Sequence, residues 1–396
     1  MKGYPSVFII ALRASASAFV TPTAIARASA SQQGWMSMHV ETTKSQHFVQ
    51  QADDPAIDSR IGAPLPVRAV FGTMSVPNLL DAAATRESLE CFLNAGFDEI
   101  DTAILYEKAG TEAALGKIGM SRFKVATKAN PWRKDDGSHD FSSPTYGLRP
   151  GLVKEQLRRS IRALGVLSVE LFYLHAPDHN TPIETTLMAV HELGEEGLFR
   201  EWGLSNYAAG DVLDIWRICK LNGWRTPSVY QGMYNAVTRD VERELLPILK
   251  KLRMSFYAYN PLAGGLLTGK HRFEDPSETG RFGTSTAWGA MYSRSRYWHK
   301  SLFDQIDQLK VLCDKHGTDL VSASFRWMCH HSSLSGELGD AVIICGSSVA
   351  QVKSNVDACS DENPLPKELV DGFEMAWQSA KPRCPPYVLE VDGTAR

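Results

Sequence analysis

A tyrosine that could donate a proton to a carbonyl oxygen, and three side chains that could tune it, lie at the ends of short apolar segments of this sequence. Asp101 and Tyr106 belong to IDTAILYE, Lys128 to VATKANPW and His175 to LFYLHAPDH. In a parallel β/α barrel the carboxyl ends of the strands converge on the face that holds active sites. A tyrosine gathered there with a lysine, an aspartate and a histidine would suit the reduction of a carbonyl group.

The chemistry explains why these four residue types belong together. Hydride transfer to a carbonyl leaves negative charge on oxygen, and a tyrosine with an unperturbed pKa near 10 is a reluctant donor of the proton required. A neighbouring ammonium stabilises the phenolate, and a carboxylate can hold that ammonium in place. We therefore predict Tyr106 as proton donor, Lys128 and Asp101 as its tuning pair, and His175 as the group that orients the substrate oxygen.

The elements that must position these residues form a regular series from residue 67 onward. Short apolar, β-rich runs alternate with amphipathic stretches, which is typical of parallel strands covered on both faces. Eight such units predict an α/β fold of the (β/α)8 TIM barrel type, and no G-x-G-x-x-G motif follows the first strand to favour a Rossmann domain. The predicted strands span residues 67–74, 99–103, 124–130, 169–176, 201–207, 228–235, 254–261 and 340–347.

Two segments interrupt the series. Residues 131–149 form a polar loop after the third strand, and residues 270–300 form a long loop after the seventh, rich in glycine, arginine and aromatic residues. Loops of this length in compact domains are usually functional or disordered, and the second is placed to close over the site. Residues 364–380 predict a final helix.

Composition excludes several classes of protein. The 396 residues carry a formal charge of -3 and no basic run inside the body, so no nucleic-acid partner is expected. No apolar run approaches the roughly 18 residues of a membrane span. Seven scattered cysteines without a CxxC pair argue against a disulfide framework or a zinc site. We also predict no metal at His175 and His179, because Pro177 between them prevents a helical pair.

The amino-terminal part differs from the rest. Residues 1–40 contain no acidic residue and predict a targeting leader that is removed or disordered. The stretch Ala16-Ser17-Ala18-Phe19 resembles the junction of bipartite plastid leaders, so a plastid is the expected location, with the mitochondrion or cytoplasm as alternatives. Residues 41–66 predict a linker, 67–387 the barrel, and 388–396 a loose tail.

Ordered motifs across residues 67–387 resemble the aldo-keto reductase superfamily and, within it, the aflatoxin-aldehyde reductase branch. They are GTM (72–74), EIDTA (99–103), KVATKANPW (124–132), VELFYLHAPDH (169–179), GLSNYA (203–208), VYQGMYNA (229–236), FYAYNPLAGGLLTGK (256–270), GRF (280–282), RWMCHHS (326–332) and AVIICGSS (341–348).

The resemblance implies a barrel that uses NADP(H) without metal and carries the tetrad onto the four residues above. It assigns the nicotinamide end to Ser205, Asn206, Gln231 and Tyr259, on whose ring the nicotinamide stacks. It assigns the pyrophosphate loop to Asn260, Pro261, Leu262, Gly264, Gly265, Leu266 and Lys270. It assigns the adenosine end to Ser347, Ser348, Gln351 and Asn355.

The chain departs from the family pattern at two places. Many members have a lysine where this chain has Gly346, so recognition of the 2′-phosphate must rest on Arg281, Lys270 and the two serines. The run SVPNLLDAAATRE (75–87) also differs from the branch. Arg296 matches a branch position that contacts a substrate carboxylate, with Arg294 as the alternative, which predicts substrates such as succinic semialdehyde.

Other functions are weighed against an NADPH-dependent aldehyde reductase. A regulatory module of the channel β-subunit type would keep the barrel and the cofactor but show little turnover. A metal-dependent barrel hydrolase lacks support, because no HxH pair lies at the first strand. The expected partner is a small aldehyde, which carries a carboxylate or is a dialdehyde. The physiological aldehyde is not specified by these motifs, and a homodimer is left open.

Overall fold

The computed structural model describes residues 66–134, 147–275, 282–283 and 295–388. Within these ranges eight parallel strands close into a barrel in chain order with helices outside, which confirms the predicted (β/α)8 fold. The strands are β1 Arg68–Gly72, β2 Glu99–Asp101, β3 Lys124–Ala129, β4 Val169–Leu174, β5 Phe199–Ser205, β6 Val229–Met233, β7 Ser255–Tyr259 and β8 Ala341–Ile344.

Helices follow the strands on the outside of the barrel. They are α1 Ala82–Asn94, α2 Gly110–Ile118, α3 Pro150–Leu164, α4 Ile183–Glu195, α5 Ala209–Asn222, α6 Leu245–Leu252, α7 Ser295–Tyr297, α8 Lys300–Lys315, α9 Leu320–His330, α10 Val349–Ser360 and α11 Lys367–Ala380. The last of these confirms the predicted final helix. None of the helices in the described ranges has the length and apolar character that crossing a membrane requires.

The interior of the barrel is filled by side chains from alternate strand positions, because successive residues of a strand point to opposite faces. Lys128 and Tyr173 are register partners on β3 and β4 and both point inward. Gly203 on β5 leaves room for the tyrosine, since a β-carbon there would lie 2.8 Å from its ring. The apolar interior consists of Val70, Ala126, Leu171, Tyr173, Val229, Tyr257, Ala341 and Ile343.

All eight strands end one to three residues before the predicted position, and the boundaries of β5 and β7 have clear physical reasons. β5 begins at Phe199, two residues before the predicted start, because Phe199 pairs with Val169 and stacks on Phe172. It ends at Ser205 because Asn206 adopts a left-handed conformation with φ 64°. β7 likewise ends at Tyr259, since Asn260 has φ 62°. Asparagine tolerates this conformation better than most residues.

Several predicted features lie outside the described residues. These are the leader (1–40), nearly all of the linker (41–66), most of the polar loop after β3, Arg281, Arg294 and the last residues of the tail. The predicted long loop after β7 is described only in part, over residues 270–275, 282–283 and 295–300. The domain boundaries therefore stay predictions.

Candidate active site

A buried ion pair lies in the barrel interior at the carboxyl ends of β2 and β3. The Lys128 Nζ lies 2.7 Å from each carboxylate oxygen of Asp101 and 2.8 Å from the carbonyl oxygen of Thr102. An ammonium has three N–H donors, so these acceptors satisfy it. Burial lowers the pKa of Lys128, while the charge of Asp101 acts in the opposite direction.

Tyr106 is held against this pair by the segment that follows β2. It begins a 3₁₀ helix, Tyr106–Ala109, and its backbone N–H donates to the carbonyl of Ala103 at 3.0 Å. Its hydroxyl oxygen lies 3.5 Å from the Lys128 Nζ, and the same ammonium lies 5.2 Å from the centroid of its ring. The phenol is thus half-buried at the mouth of the barrel with a positive charge beside its oxygen.

His175 follows β4 and completes the predicted group of four. Its ring meets Tyr106 edge to face at 6.2 Å between centroids and meets Trp132 in the same way at 5.9 Å. Burial lowers the pKa of His175 to about 3, and the charge of Lys128 acts in the same direction. The imidazole is therefore neutral at physiological pH. Its Nδ1 atom is enclosed and has no hydrogen-bond partner within the described ranges.

Gln231 on β6 contacts the ion pair directly. Its side-chain N–H donates to Asp101 Oδ1 at 2.8 Å. The resemblance assigned Gln231 to the nicotinamide carboxamide, and the geometry adds a second role, since this amide nitrogen holds the carboxylate that holds Lys128. The sequence could not indicate this contact, because the two residues are 130 positions apart.

Asn206 connects three strands at the same end of the barrel. Its amide nitrogen donates to the carbonyl of His175 at 2.9 Å and to the Ser205 hydroxyl at 3.0 Å. Its amide oxygen accepts a hydrogen bond from the Tyr259 hydroxyl at 2.9 Å. The Tyr259 ring, on which a nicotinamide is predicted to stack, is therefore anchored through its hydroxyl.

The loop after β7 has a backbone shaped for an anion. Ala263, Gly264 and Gly265 have φ values of 51°, 72° and 107°, and a β-carbon on Gly265 would meet nothing within 4 Å. Such a turn can direct backbone N–H groups at a phosphate. Asn260 supports the loop: its side chain accepts from the Gly264 N–H and donates to the Tyr297 hydroxyl.

The remaining residues predicted for this loop differ in how far their side chains are exposed to solvent. Leu266 is 1% exposed and packs in the core, so only its backbone could face a ligand. Pro261 is buried and Leu262 is half-buried. Lys270 is exposed at the end of the loop.

The residues predicted for the adenosine end cluster at the start of α10. Ser348 caps the helix by accepting from the Gln351 N–H at 3.3 Å. The Gln351 side-chain oxygen accepts from the backbone N–H and the hydroxyl of Ser347 at 2.8 and 2.9 Å. Asn355 is buried and donates to the carbonyl of Cys345 at 2.8 Å. A phosphate at this helix end would thus compete with Gln351 for Ser347.

Arg296 lies in α7, at the edge of the site. Its guanidinium contacts the Met233 sulfur at 3.1 Å. Met233 ends β6 two residues after Gln231, on the same face of the strand and about 7 Å further along it. This position is compatible with the predicted contact to substrate, whereas Arg294 lies outside the described residues.

The chain has the features that a dinucleotide cofactor requires. The anchored Tyr259 ring, the glycine turn at Gly264 and Gly265, and the hydroxyls at the start of α10 follow β7 and β8 at one end of the barrel. Together they supply an aromatic face, backbone donors for a pyrophosphate and a helix amino terminus for a phosphate.

Comparison with known sequences agrees with this geometry. The sequence pattern of the Aldo/keto reductase family matches residues 68–377, and the chain belongs to that family of oxidoreductases. It is 45% identical over 346 residues to aflatoxin B1 aldehyde reductase member 2 of Rattus norvegicus, covering 84% of this chain and 90% of that protein.

Further relatives match a similar share of the chain. Aflatoxin B1 aldehyde reductase member 4 of Homo sapiens is 44% identical over 333 residues, covering 81% of this chain and 96% of that protein. The aldo-keto reductase pigE of Monascus ruber is 33% identical over 334 residues, covering 81% and 96%. The predicted superfamily and branch are thus confirmed, and the chain is an enzyme that reduces aldehydes.

The structure brings together the four predicted catalytic residues with Gln231, Ser205, Asn206 and Tyr259. The sequence-based prediction did not include the contact of Trp132 with His175, and Trp132 entered it only within the motif KVATKANPW. The signal was available, because an indole directly after the end of β3 must lie at the same face of the barrel as Lys128. It also missed Glu112, which no motif distinguished.

Proposed function

We propose that this protein reduces aldehydes to alcohols with NADPH, and that Tyr106 donates the proton to the carbonyl oxygen. The observation that carries the proposal is the contact of the Tyr106 hydroxyl with an ammonium that is itself fixed by a buried carboxylate. The cofactor supplies the hydride. The side chains at the mouth of the barrel orient the carbonyl group and donate the proton.

Proton donation by Tyr106 is favoured because its product is stabilised. The phenolate left behind lies beside the charge of Lys128, in a site where burial strengthens electrostatic interactions. Asp101, Thr102 and Gln231 keep the ammonium from moving away, so little reorganisation is needed when the phenol loses its proton.

His175 suits a different role from proton donation. Because its pKa is lowered to about 3, its imidazole is neutral at neutral pH and is not an acid that could protonate the substrate. A neutral imidazole can still hydrogen-bond the carbonyl oxygen and direct it towards Tyr106. Trp132 packs against the ring and limits its rotation. We assign His175 to substrate orientation.

The choice of NADPH over NADH rests on cations around the 2′-phosphate. Gly346 supplies no side chain, so Arg281 and Lys270 are the proposed partners, with Ser347 and Ser348. A charge-assisted hydrogen bond is worth about 1.5–3 kcal/mol. Arg281→Ala should therefore raise the Kd for NADPH by roughly ten- to a hundredfold and leave the Kd for NADH nearly unchanged. Equal weakening of both would place the phosphate elsewhere.

For the substrate we propose an aldehyde that bears a carboxylate, such as succinic semialdehyde. A guanidinium at Arg296 offers two parallel donors to a carboxylate. Relatives at 45% and 44% identity are named for aflatoxin B1 aldehyde, so that aldehyde is a second substrate to test beside a simple dialdehyde.

The direct test is a reductase assay over a panel of aldehydes, with NADPH compared against NADH. Oxidation of NADPH with formation of the alcohol is the expected result. Tight cofactor binding with negligible turnover on every aldehyde would contradict the proposal and favour the regulatory module.

A further inference from the structure

A buried carboxyl group lies against the outer face of β3, the strand whose inner face carries Lys128. Glu112 on α2 is fully buried, and its Oε1 accepts a hydrogen bond from the Thr127 hydroxyl at 2.6 Å. Its Oε2 is enclosed and has no hydrogen-bond partner within the described ranges. Burial raises the pKa of Glu112 in spite of the neighbouring hydroxyls of Thr127 and Ser160. The group is thus inclined to keep its proton.

The two residues that Glu112 connects adjoin the catalytic contact. Thr127 precedes Lys128 on β3, and because side chains alternate along a strand it faces the helices while Lys128 faces the barrel interior. Glu112 lies in the first turn of α2, which continues directly from the 3₁₀ helix that begins with Tyr106. The Glu112–Thr127 bond and the Tyr106–Lys128 contact therefore join the same two segments from opposite faces of β3.

A second bond fixes the start of α2 from another side. The Thr111 hydroxyl donates to the carbonyl oxygen of Val76, in the segment after β1, at 2.6 Å. Both anchors are fully buried. A polar group placed in the core is unfavourable unless it is hydrogen-bonded, so an apolar residue at 112 would be the simpler way to fill this space. The carboxyl group instead imposes a fixed distance between α2 and β3.

We propose that Glu112 is a positioning residue, whose hydrogen bond to Thr127 fixes the segment of Tyr106 against β3 and so sets the distance between the Tyr106 hydroxyl and the Lys128 ammonium. The proposal rests on the role of Tyr106 proposed above. A misplacement of about 1 Å at a reacting group can lower a rate by roughly a hundredfold. Glu112 touches neither substrate nor cofactor.

Three variants of the full chain test this role. Glu112→Ala removes the bond and should lower kcat by about 10- to 100-fold, with little change in KM or in the Kd for NADPH measured by fluorescence. Glu112→Gln keeps an acceptor oxygen and the volume of a protonated carboxyl group, so it should retain kcat within about threefold. Leu115→Ala, at a buried position of the same helix, is the matched control for loss of packing.

The control and the conservative variant give the outcomes that would overturn the proposal. Leu115→Ala should lower the Tm but not kcat, and a loss of kcat equal to that of Glu112→Ala would make the effect a matter of stability alone. A Glu112→Gln variant as slow as Glu112→Ala would point to charge rather than position. Unchanged kcat in Glu112→Ala would also contradict the proposal.

A double variant separates failure of this inference from failure of the proposed proton donor. If Glu112 acts through the Tyr106 hydroxyl, Tyr106→Phe with Glu112→Ala should be no slower than Tyr106→Phe alone, because coupled residues are not additive. Additive losses would show that Glu112 acts by another route. If Tyr106→Phe is fully active, the proton donor is wrong, whatever Glu112→Ala does.

Discussion

At the scale of single residues, the site depends on the ammonium of Lys128, which is buried and fixed by hydrogen bonds. Lys128 is 1% exposed and Asp101 3%, so neither charge would be tolerable alone. Their attraction, together with the donors and acceptors around them, keeps the ammonium at a fixed place beside Tyr106. A buried ion pair is weak evidence for stability, and its value here lies in that placement.

The neutral state of His175 leads to a prediction about acid stability. Its pKa is about 3 in the folded protein and near 6.5 when unfolded, so the unfolded chain binds more protons between those values. The stability that it contributes is complete above pH 6.5 and is lost as the pH falls towards 3. At pH 4.5, two units below the unfolded pKa, this loss is roughly 3 kcal/mol.

Thermal unfolding of the wild type and of His175→Gln would measure the effect. Between pH 7.5 and 4.5 the Tm should fall further in the wild type than in the variant, which has no imidazole to protonate. Parallel curves would mean that His175 titrates alike in both states. His179, close in sequence and exposed, provides the matched control through His179→Gln.

At the same scale, the clustering of the four proposed catalytic residues could be predicted because they stand at strand ends in a repeated pattern. Glu112 could not, since a glutamate in an amphipathic helix normally marks the solvated face. Its burial depends on Thr127 and Ser160 of two other elements. The Gln231–Asp101 bond likewise joins strands on opposite sides of the barrel, which closure alone brings together.

At the scale of elements, the turns that end β5 and β7 each combine a left-handed backbone with side-chain hydrogen bonds. Asn206 and Asn260 both take left-handed conformations there, and their side chains bond the neighbouring loops. The strands themselves were predictable from apolar runs. Their ends were placed one to three residues too late. At β5 and β7 the reason is that the left-handed asparagines that stop the strands carry no signal in hydrophobicity.

Asn206 should therefore affect both stability and cofactor binding. Asn206→Gly keeps the left-handed backbone at little strain but removes three hydrogen bonds, which should destabilise the fold by about 1–3 kcal/mol. It should also raise the Kd for NADPH, because the Tyr259 ring loses its anchor.

Tyr259→Phe is the matched variant, since it removes one of those bonds and keeps the ring. It should raise the Kd for NADPH in the same direction with a smaller loss of Tm. Fluorescence titration and thermal unfolding give both quantities. Normal cofactor affinity in both variants would show that anchoring of the ring does not matter.

The proposed preference for acids depends on Arg296, which lies in α7. Arg296→Ala should raise KM for succinic semialdehyde about tenfold or more and leave an uncharged aldehyde of similar length almost unaffected, because only the acid loses an ion pair. Arg296→Lys keeps the charge without the paired donors and should fall between. Kinetics at fixed salt provide the measurement, and equal effects on both substrates would indicate loop closure instead.

At the scale of the whole molecule, the described site is built entirely by the barrel. Its residues run from Asp101 to Asn355, and the family match covers residues 68–377. Fold class was predictable because eight β/α units leave few alternatives to a closed barrel. Location in a plastid stays a proposal that rests on the leader alone.

A chain shortened to residues 62–396 should therefore keep the Tm and the kcat of the full chain. Thermal unfolding and the reductase assay on both proteins, purified alike, would measure this. A shortened chain that does not fold, or that has lost its turnover, would show that the leader or linker contributes to the enzyme.

The proposed reduction of aldehydes depends on Tyr106 as the proton donor. Tyr106→Phe removes the hydroxyl and little volume, so NADPH should bind with nearly normal affinity. Steady-state turnover with a good aldehyde should fall by roughly 10²- to 10⁴-fold, the range for loss of general acid catalysis. Turnover within a few fold of the wild type, with cofactor bound equally well, would contradict the central claim.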